Sequence, residues 1–225
     1  SENVVLEDTT VMTYTEDIEY QEFNKVYDEY VEKHNKIIAK LLEPSAEHNL
    51  TELPKVVVVQ PGMSSGYGNR LPSIVCGFIY SLISDRLFFI NGYKNFENYY
   101  EKDFDHDWAT VENLYKDSTF KYIHDKETYN DFPLVTRGNF SSKEITKYEI
   151  LGVSTLDYPC APITSNPYYM KWFNKAISDY RIFTAVSLKL LRLHPNISKQ
   201  VENFTSNNFG DYNIGIHLRE NKPPS

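Results

Sequence analysis

Positive charge is in short supply in this 225-residue chain: 23 Lys and Arg stand against 31 Asp and Glu, for a net charge of −8. A protein that binds phosphate backbones without regard to sequence needs the opposite balance, so nucleic acid is disfavoured as a partner. Long apolar runs are also missing. The most apolar helical stretch, Leu71 to Ser84, has roughly 14 residues where a bilayer crossing needs about 20. No signal-peptide pattern, internal repeat or low-complexity tract is visible, and the first residue is Ser1 rather than Met. Cysteine is rare. Cys76 and Cys160 can form one disulfide, but Cys76 sits in an apolar helix, so two free buried thiols fit the sequence equally well.

What is present is a hydrophobic content of 41%, enough for one sizeable core in one or two domains. The most informative stretch is "VVVVQPGMSSGYGNRLPSIVCGFIYSLISDRLFFI", residues 56–90. Val56 to Val59 is a short β-branched run of the kind buried on both faces of a parallel sheet. Gly62, Gly66 and Gly68 allow a turn where backbone N–H groups approach a ligand, and Pro72 suits the first turn of a helix. The helix from Leu71 is apolar nearly all round and reads as buried. Ser84-Asp85-Arg86 then turns into a second strand, Leu87 to Ile90. Strand, helix and parallel strand place the glycine loop at the carboxyl end of the first strand, where open α/β sheets bind ligands and a helix N-terminus favours an anion.

Three common nucleotide loops fit this one poorly. An NTPase loop ends in Gly-Lys-Ser/Thr, which supplies a phosphate cation and a magnesium ligand, whereas Gly68 is followed by Asn69-Arg70. A dinucleotide fingerprint needs a third glycine where Leu71 stands and an acid after the second strand, where Asn91 stands. A methyl-donor site needs the same acid.

Elsewhere, apolar residues from Phe23 to Leu42 recur at helical spacing, predicting an amphipathic helix over 17–42. Residues 145–154 read as a strand, and a helical region begins near Pro167 and breaks at Pro195. Tyr212 to Ile216 alternates as a strand ending in His217-Leu218-Arg219. The cluster Asp103, Asp105, His106 and Asp107 lacks a matched ligand loop and reads as solvated rather than metal-binding. His34, His48, His124 and His194 read as surface or capping residues. The 18 Tyr, 13 Phe and 2 Trp can stack on sugars, but core packing is the ordinary use of each.

The segment over residues 56–90, with its Ser-Gly-x-Gly-Asn-Arg loop, resembles the fucosyltransferases, most closely the plant-type xyloglucan α-1,2-fucosyltransferase family. "YDEYVEKHNK" is similar to the helix preceding that loop, and "FTAVSLKLLRLHPNISKQVENF" followed by "YNIGIHLRE" is similar to the approach to that family's His-x-Arg donor motif. The plant relatives often carry Gln where His217 stands. The resemblance implies an α/β fold, the Rossmann-like N-terminal domain of a two-domain GT-B-type glycosyltransferase, preceded by an N-terminal amphipathic helix. On this reading 1–16 is an acidic stem, 17–54 a helical arm and linker, 55–210 the Rossmann-like domain, and 211–225 the first strand of a donor-binding domain that the chain cuts short.

The implied activity is inverting transfer of fucose from GDP-fucose to a glycan hydroxyl, without metal or other cofactor. Gly66, Gly68, Asn69, Arg70, His217 and Arg219 are the implied donor-binding residues, with Arg219 on the diphosphate. No residue identifies itself as a general base. The alternative is a noncatalytic carbohydrate- or protein-binding domain that kept the half-fold. The implied compartment is the Golgi lumen, with any membrane anchor outside this chain. Four Asn-x-Ser/Thr acceptors, at Asn49, Asn139, Asn196 and Asn203, slightly exceed the chance number. Asn196 and Asn203 lie seven apart on the expected last helix, roughly 115° round from its apolar residues Ile197, Val201 and Phe204 at about 100° per residue.

Overall fold

The computed structural model describes residues 20–44, 52–61, 67–92, 96–124, 130–154, 160–176 and 181–213. In chain order the elements are α1 (Gln21–Leu41), β1 (Val56–Val59), α2 (Tyr67–Ser84), β2 (Leu87–Ile90), α3 (Phe96–Tyr99), 3-10 turns at Trp108–Thr110 and Glu112–Tyr115, β3 (Phe120–His124), α4 (Phe132–Arg137), α5 (Lys143–Thr146), β4 (Ile150–Ser154), α6 (Ala161–Thr164), α7 (Met170–Ala176), α8 (Ile182–Leu190) and α9 (Pro195–Asn208).

The four strands form one parallel sheet in the order β2-β1-β4-β3. All residues of β1 and β2 are buried, as their unbroken apolar sequences require when both faces are covered. Val57, Val59, Phe88, Ile90, Leu151 and Val153 point into the larger core with α2 and α8. Val56, Val58, Leu87, Phe89 and Ile150 point the other way, against Ile38 and Leu41 of α1 and against Trp108, Val111 and Tyr115. Phe23 and Tyr27 of α1 belong to the first core, while Ile38 and Leu41 belong to the second. Helix α1 therefore wraps the outer edge of β2 from one face to the other.

That edge is capped. His34 Nε2 lies 3.3 Å from the Phe88 carbonyl, and the Ile90 N–H donates to the His106 carbonyl at 2.7 Å. An uncovered parallel edge would expose such groups to pairing with other chains. At the opposite margin β3 is half-exposed, with Phe120 on the surface. Its mixed sequence, Phe-Lys-Tyr-Ile-His, hides it from a reading based on apolar runs.

Several sequence expectations need correction. Helix α2 starts at Tyr67, so Pro72 lies inside it and not in its first turn. With no N–H, Pro72 leaves the Gly68 carbonyl without its helical donor. The strand expected over 145–154 is β4 alone, because residues 143–146 form a helical turn. His34, expected at the surface, is fully buried among Tyr30, Phe89 and Phe104. Its charged sequence neighbours face solvent and conceal its own position. Tyr212 and Asn213 are not in a strand, and the rest of that expected strand lies outside the described residues. Pro195 does mark a break: it opens α9, and His194 accepts from the Asn196 N–H at 3.4 Å as a cap.

Two features lock the larger core. Cys76 and Cys160 are bonded as a disulfide, with Cα atoms 5.5 Å apart and a sequence separation of 84. At Gly77, a Cβ would collide with the Val59 side chain and approach Phe88, so glycine is what lets α2 lie directly on β1 and β2. This is the close helix–strand contact that a dinucleotide fingerprint assigns to its third glycine, made here by a residue deeper in the helix. The arrangement was missed because a lone glycine in an apolar helix carries no marker of what it faces.

Candidate functional site

The site is built at the carboxyl edge of the sheet, where β1 runs into α2. Gly62 and Gly66 lie outside the described residues. Tyr67, Gly68, Asn69 and Arg70 form the first turn of α2 and not the loop that the sequence suggested. The first four N–H groups of a helix have no intrahelical acceptor, and here they belong to the Tyr-Gly-Asn-Arg segment. Gly68 is exposed, and a Cβ built on it would meet no atom within 4 Å. Nothing in the packing of the described residues requires glycine there, whereas close approach of a ligand to the backbone would. Arg70 is half-buried and engaged with other groups. His217 and Arg219, the other candidate donor-binding residues, lie outside the described residues.

Rigid supports converge from the other end of the sheet. Arg86 is 2% exposed and donates to the carbonyls of Val56 at 3.5 Å, Glu149 at 3.1 Å and Ile145 at 3.1 Å. It joins the amino ends of β1 and β4 to α5. Burial lowers its pKa to about 10, and it remains charged at neutral pH. Asp85 beside it has φ 54°, a left-handed conformation that Asp tolerates, and this closes the turn into β2. An open 320 Å³ cleft near these amino ends is lined by Lys33, Lys55, Glu52 and Asp85 among others. It lies at the wrong end of the strands for the glycine loop.

The cluster of acids near residue 105 holds the fold together. Asp103 accepts from Tyr27 Oη at 3.0 Å and from Arg192 at 2.7 Å, while Arg192 also pairs with Glu101. Asp105 accepts from the Thr110 hydroxyl at 2.8 Å, and Asp107 caps the turn at Trp108. Among the described residues, no group of three or more His, Cys, Asp or Glu side chains is placed to hold a metal. Burial holds both His34 and His106 down to about 4. Each donates one ring N–H to a backbone carbonyl, and the other nitrogens, His34 Nδ1 and His106 Nε2, have no hydrogen-bond partner among the described residues. These neutral imidazoles are packed among Phe96, Phe104 and Phe89, and the His106 backbone meets the carboxyl end of β2 through the Ile90 N–H.

Of the glycosylation candidates, Asn196 and Asn203 are exposed on α9. Asn139 is half-buried, with its Oδ1 accepting from the Ser141 N–H at 2.8 Å. Asn49 lies outside the described residues. No helix among the described residues is long and apolar enough to cross a membrane.

No protein-family profile and no curated protein sequence matches this chain. Among solved structures, the fold is similar to that of an arginine-to-lysine mutant of Arabidopsis thaliana FUT1 in complex with GDP, with a TM-score of 0.61 and 17% identity. The match covers 88% of this chain and 54% of the other, so the chain spans about half the length of that protein. The likeness is one of fold, an α/β arrangement around a parallel sheet.

Proposed function

We propose that this chain is the N-terminal domain of a glycosyltransferase that moves fucose from GDP-fucose to a glycan hydroxyl, with inversion, without a metal, and through an α-1,2 link to galactose. The supporting observation is the glycine-containing first turn of α2 at the carboxyl edge of a parallel sheet, in a fold that resembles a GDP-bound protein over 88% of this chain. Ligands of open α/β sheets bind at that edge. On this reading the chain works in the Golgi lumen.

The chemistry follows from where charge develops. As the bond from fucose to GDP breaks, negative charge grows on the departing diphosphate. The first-turn N–H groups and the dipole of α2 suit that charge. Arg219 would bind the diphosphate through paired N–H donors, each charge-assisted bond contributing about 1.5–3 kcal/mol, with His217 beside it. Arg70 would reach the donor or brace the loop. The acceptor hydroxyl needs a general base, and we assign that role to no residue.

A calorimetric titration of the 225-residue chain with GDP-fucose, GDP, UDP and NAD tests the reading. Binding selective for the guanine nucleotides and abolished by Arg219→Ala is the expected outcome. Equal binding of UDP or NAD, or binding untouched by Arg219→Ala, would remove the donor assignment.

A further inference from the structure

Helix α9 has no buried residue, and two of the four glycosylation acceptors fall on it. Asn196 and Asn203 are both exposed and seven residues apart, which places them on one flank, about two turns or roughly 10 Å apart along the axis. Their hydroxyl partners, Ser198 and Thr205, belong to the same helix. Asn139 differs, because its side-chain oxygen is tied to the Ser141 N–H and the next residue, Phe140, is fully buried. A second observation is independent of these motifs. The Cys76–Cys160 disulfide belongs to chains that mature in an oxidising compartment, which is also where asparagine-linked sugars are added.

We propose that Asn196 and Asn203 form a paired N-glycosylation site on one flank of α9. In each transfer the Asn Nδ2 forms a bond to C1 of the reducing-end sugar of a lipid-diphosphate oligosaccharide. The C1–O bond to the diphosphate breaks, the lipid diphosphate leaves with the electron pair, and the amide gives up one proton. The two glycans share a flank about 115° from the stripe of Ile197, Val201 and Phe204, so they hydrate a helix that gains nothing from core packing while leaving that stripe open. This assignment does not depend on the donor-sugar reading.

The test is to secrete the 225-residue chain from a eukaryotic host behind a cleavable leader and to measure its mass before and after enzymatic deglycosylation. We expect peptide mapping after glycan removal to show Asp at both 196 and 203. Asn196→Gln and Asn203→Gln should each remove one glycan, and the double variant two. Ser198→Ala and Thr205→Ala, which keep the asparagines, should do the same. A secreted chain in which either position remains plain Asn after deglycosylation, or a double variant that loses fewer than two glycans, overturns the proposal.

Discussion

Helices α2 and α9 are of similar length, 18 and 14 residues, yet they meet opposite fates. Helix α2 is apolar on almost every side and is buried from Ile74 to Tyr80, pressed onto the sheet at Gly77 and covalently tied at Cys76. Helix α9 carries one narrow stripe, and even that is exposed: Val201 is 49% and Phe204 59% accessible. It is joined to the body at its start, where the His194 N–H donates to the Tyr99 carbonyl and the Glu101 N–H to the Arg192 carbonyl. The comparison separates two reasons for being helical. Tertiary burial holds α2 in place. In α9, local factors dominate: Pro195 at the first position, the His194 cap and the Phe204–Phe209 edge contact.

The difference can be broken most forcefully at the disulfide. Replacing Cys76 and Cys160 together by Ala frees a loop of 84 residues, and chain-entropy arithmetic gives a loss of about 4–5 kcal/mol. Urea unfolding of the oxidised protein and the double variant measures it. If the two midpoints agree, the bond adds nothing to the burial that already holds α2.

A smaller effect tests the layer where α1 crosses the edge of β2. The folded protein keeps His34 and His106 neutral down to about pH 4, whereas an unfolded chain protonates histidine near pH 6.5. Between those values unfolding takes up protons, so stability falls as pH falls, by roughly 3 kcal/mol for each histidine across the window. The His34→Gln variant should lose about half of that pH slope. An unchanged slope between pH 6.5 and 4 would assign the dependence to other groups.

Next in size is Arg86→Ala, which removes a buried side chain and its bonds to the Glu149 and Ile145 carbonyls, leaving them only the backbone donors Val56 N–H and Tyr148 N–H. A loss of roughly 2–3 kcal/mol is expected, read as a lower thermal midpoint. At the other extreme, Val201→Ala on α9 should change stability by less than about 0.5 kcal/mol. A larger loss would mean that the stripe is packed against something in solution.

The same contrast shows what was legible in the sequence. Unbroken runs such as Val56 to Val59 and Leu87 to Ile90 announce strands buried on both faces, and the all-apolar α2 announces a core helix, because burial leaves no room for polar residues. Strand β3 was missed for the converse reason: at the margin of the sheet only Ile123 is buried, so the apolar signal shrinks to one position. His34 and Gly77 were illegible because each depends on a partner distant in sequence, the Phe88 carbonyl and the Val59 side chain. At the candidate site the glycine motif was readable, but its division between loop and helix was not. Pro72 points to a helix start at Leu71, four residues later than the one adopted at Tyr67, since prolines are commonest in first turns.

The bond between Cys76 and Cys160 has a further consequence for what happens when the backbone is cut. Every peptide bond from residue 77 to 159 lies inside the covalent ring it closes, including those of β2, β3 and β4. A protease that nicks the chain once within that span produces no separate fragments. The cleaved protein would migrate as one species until a thiol reductant opened the ring, so damage to the middle of the chain would be invisible to any assay of size performed without reduction.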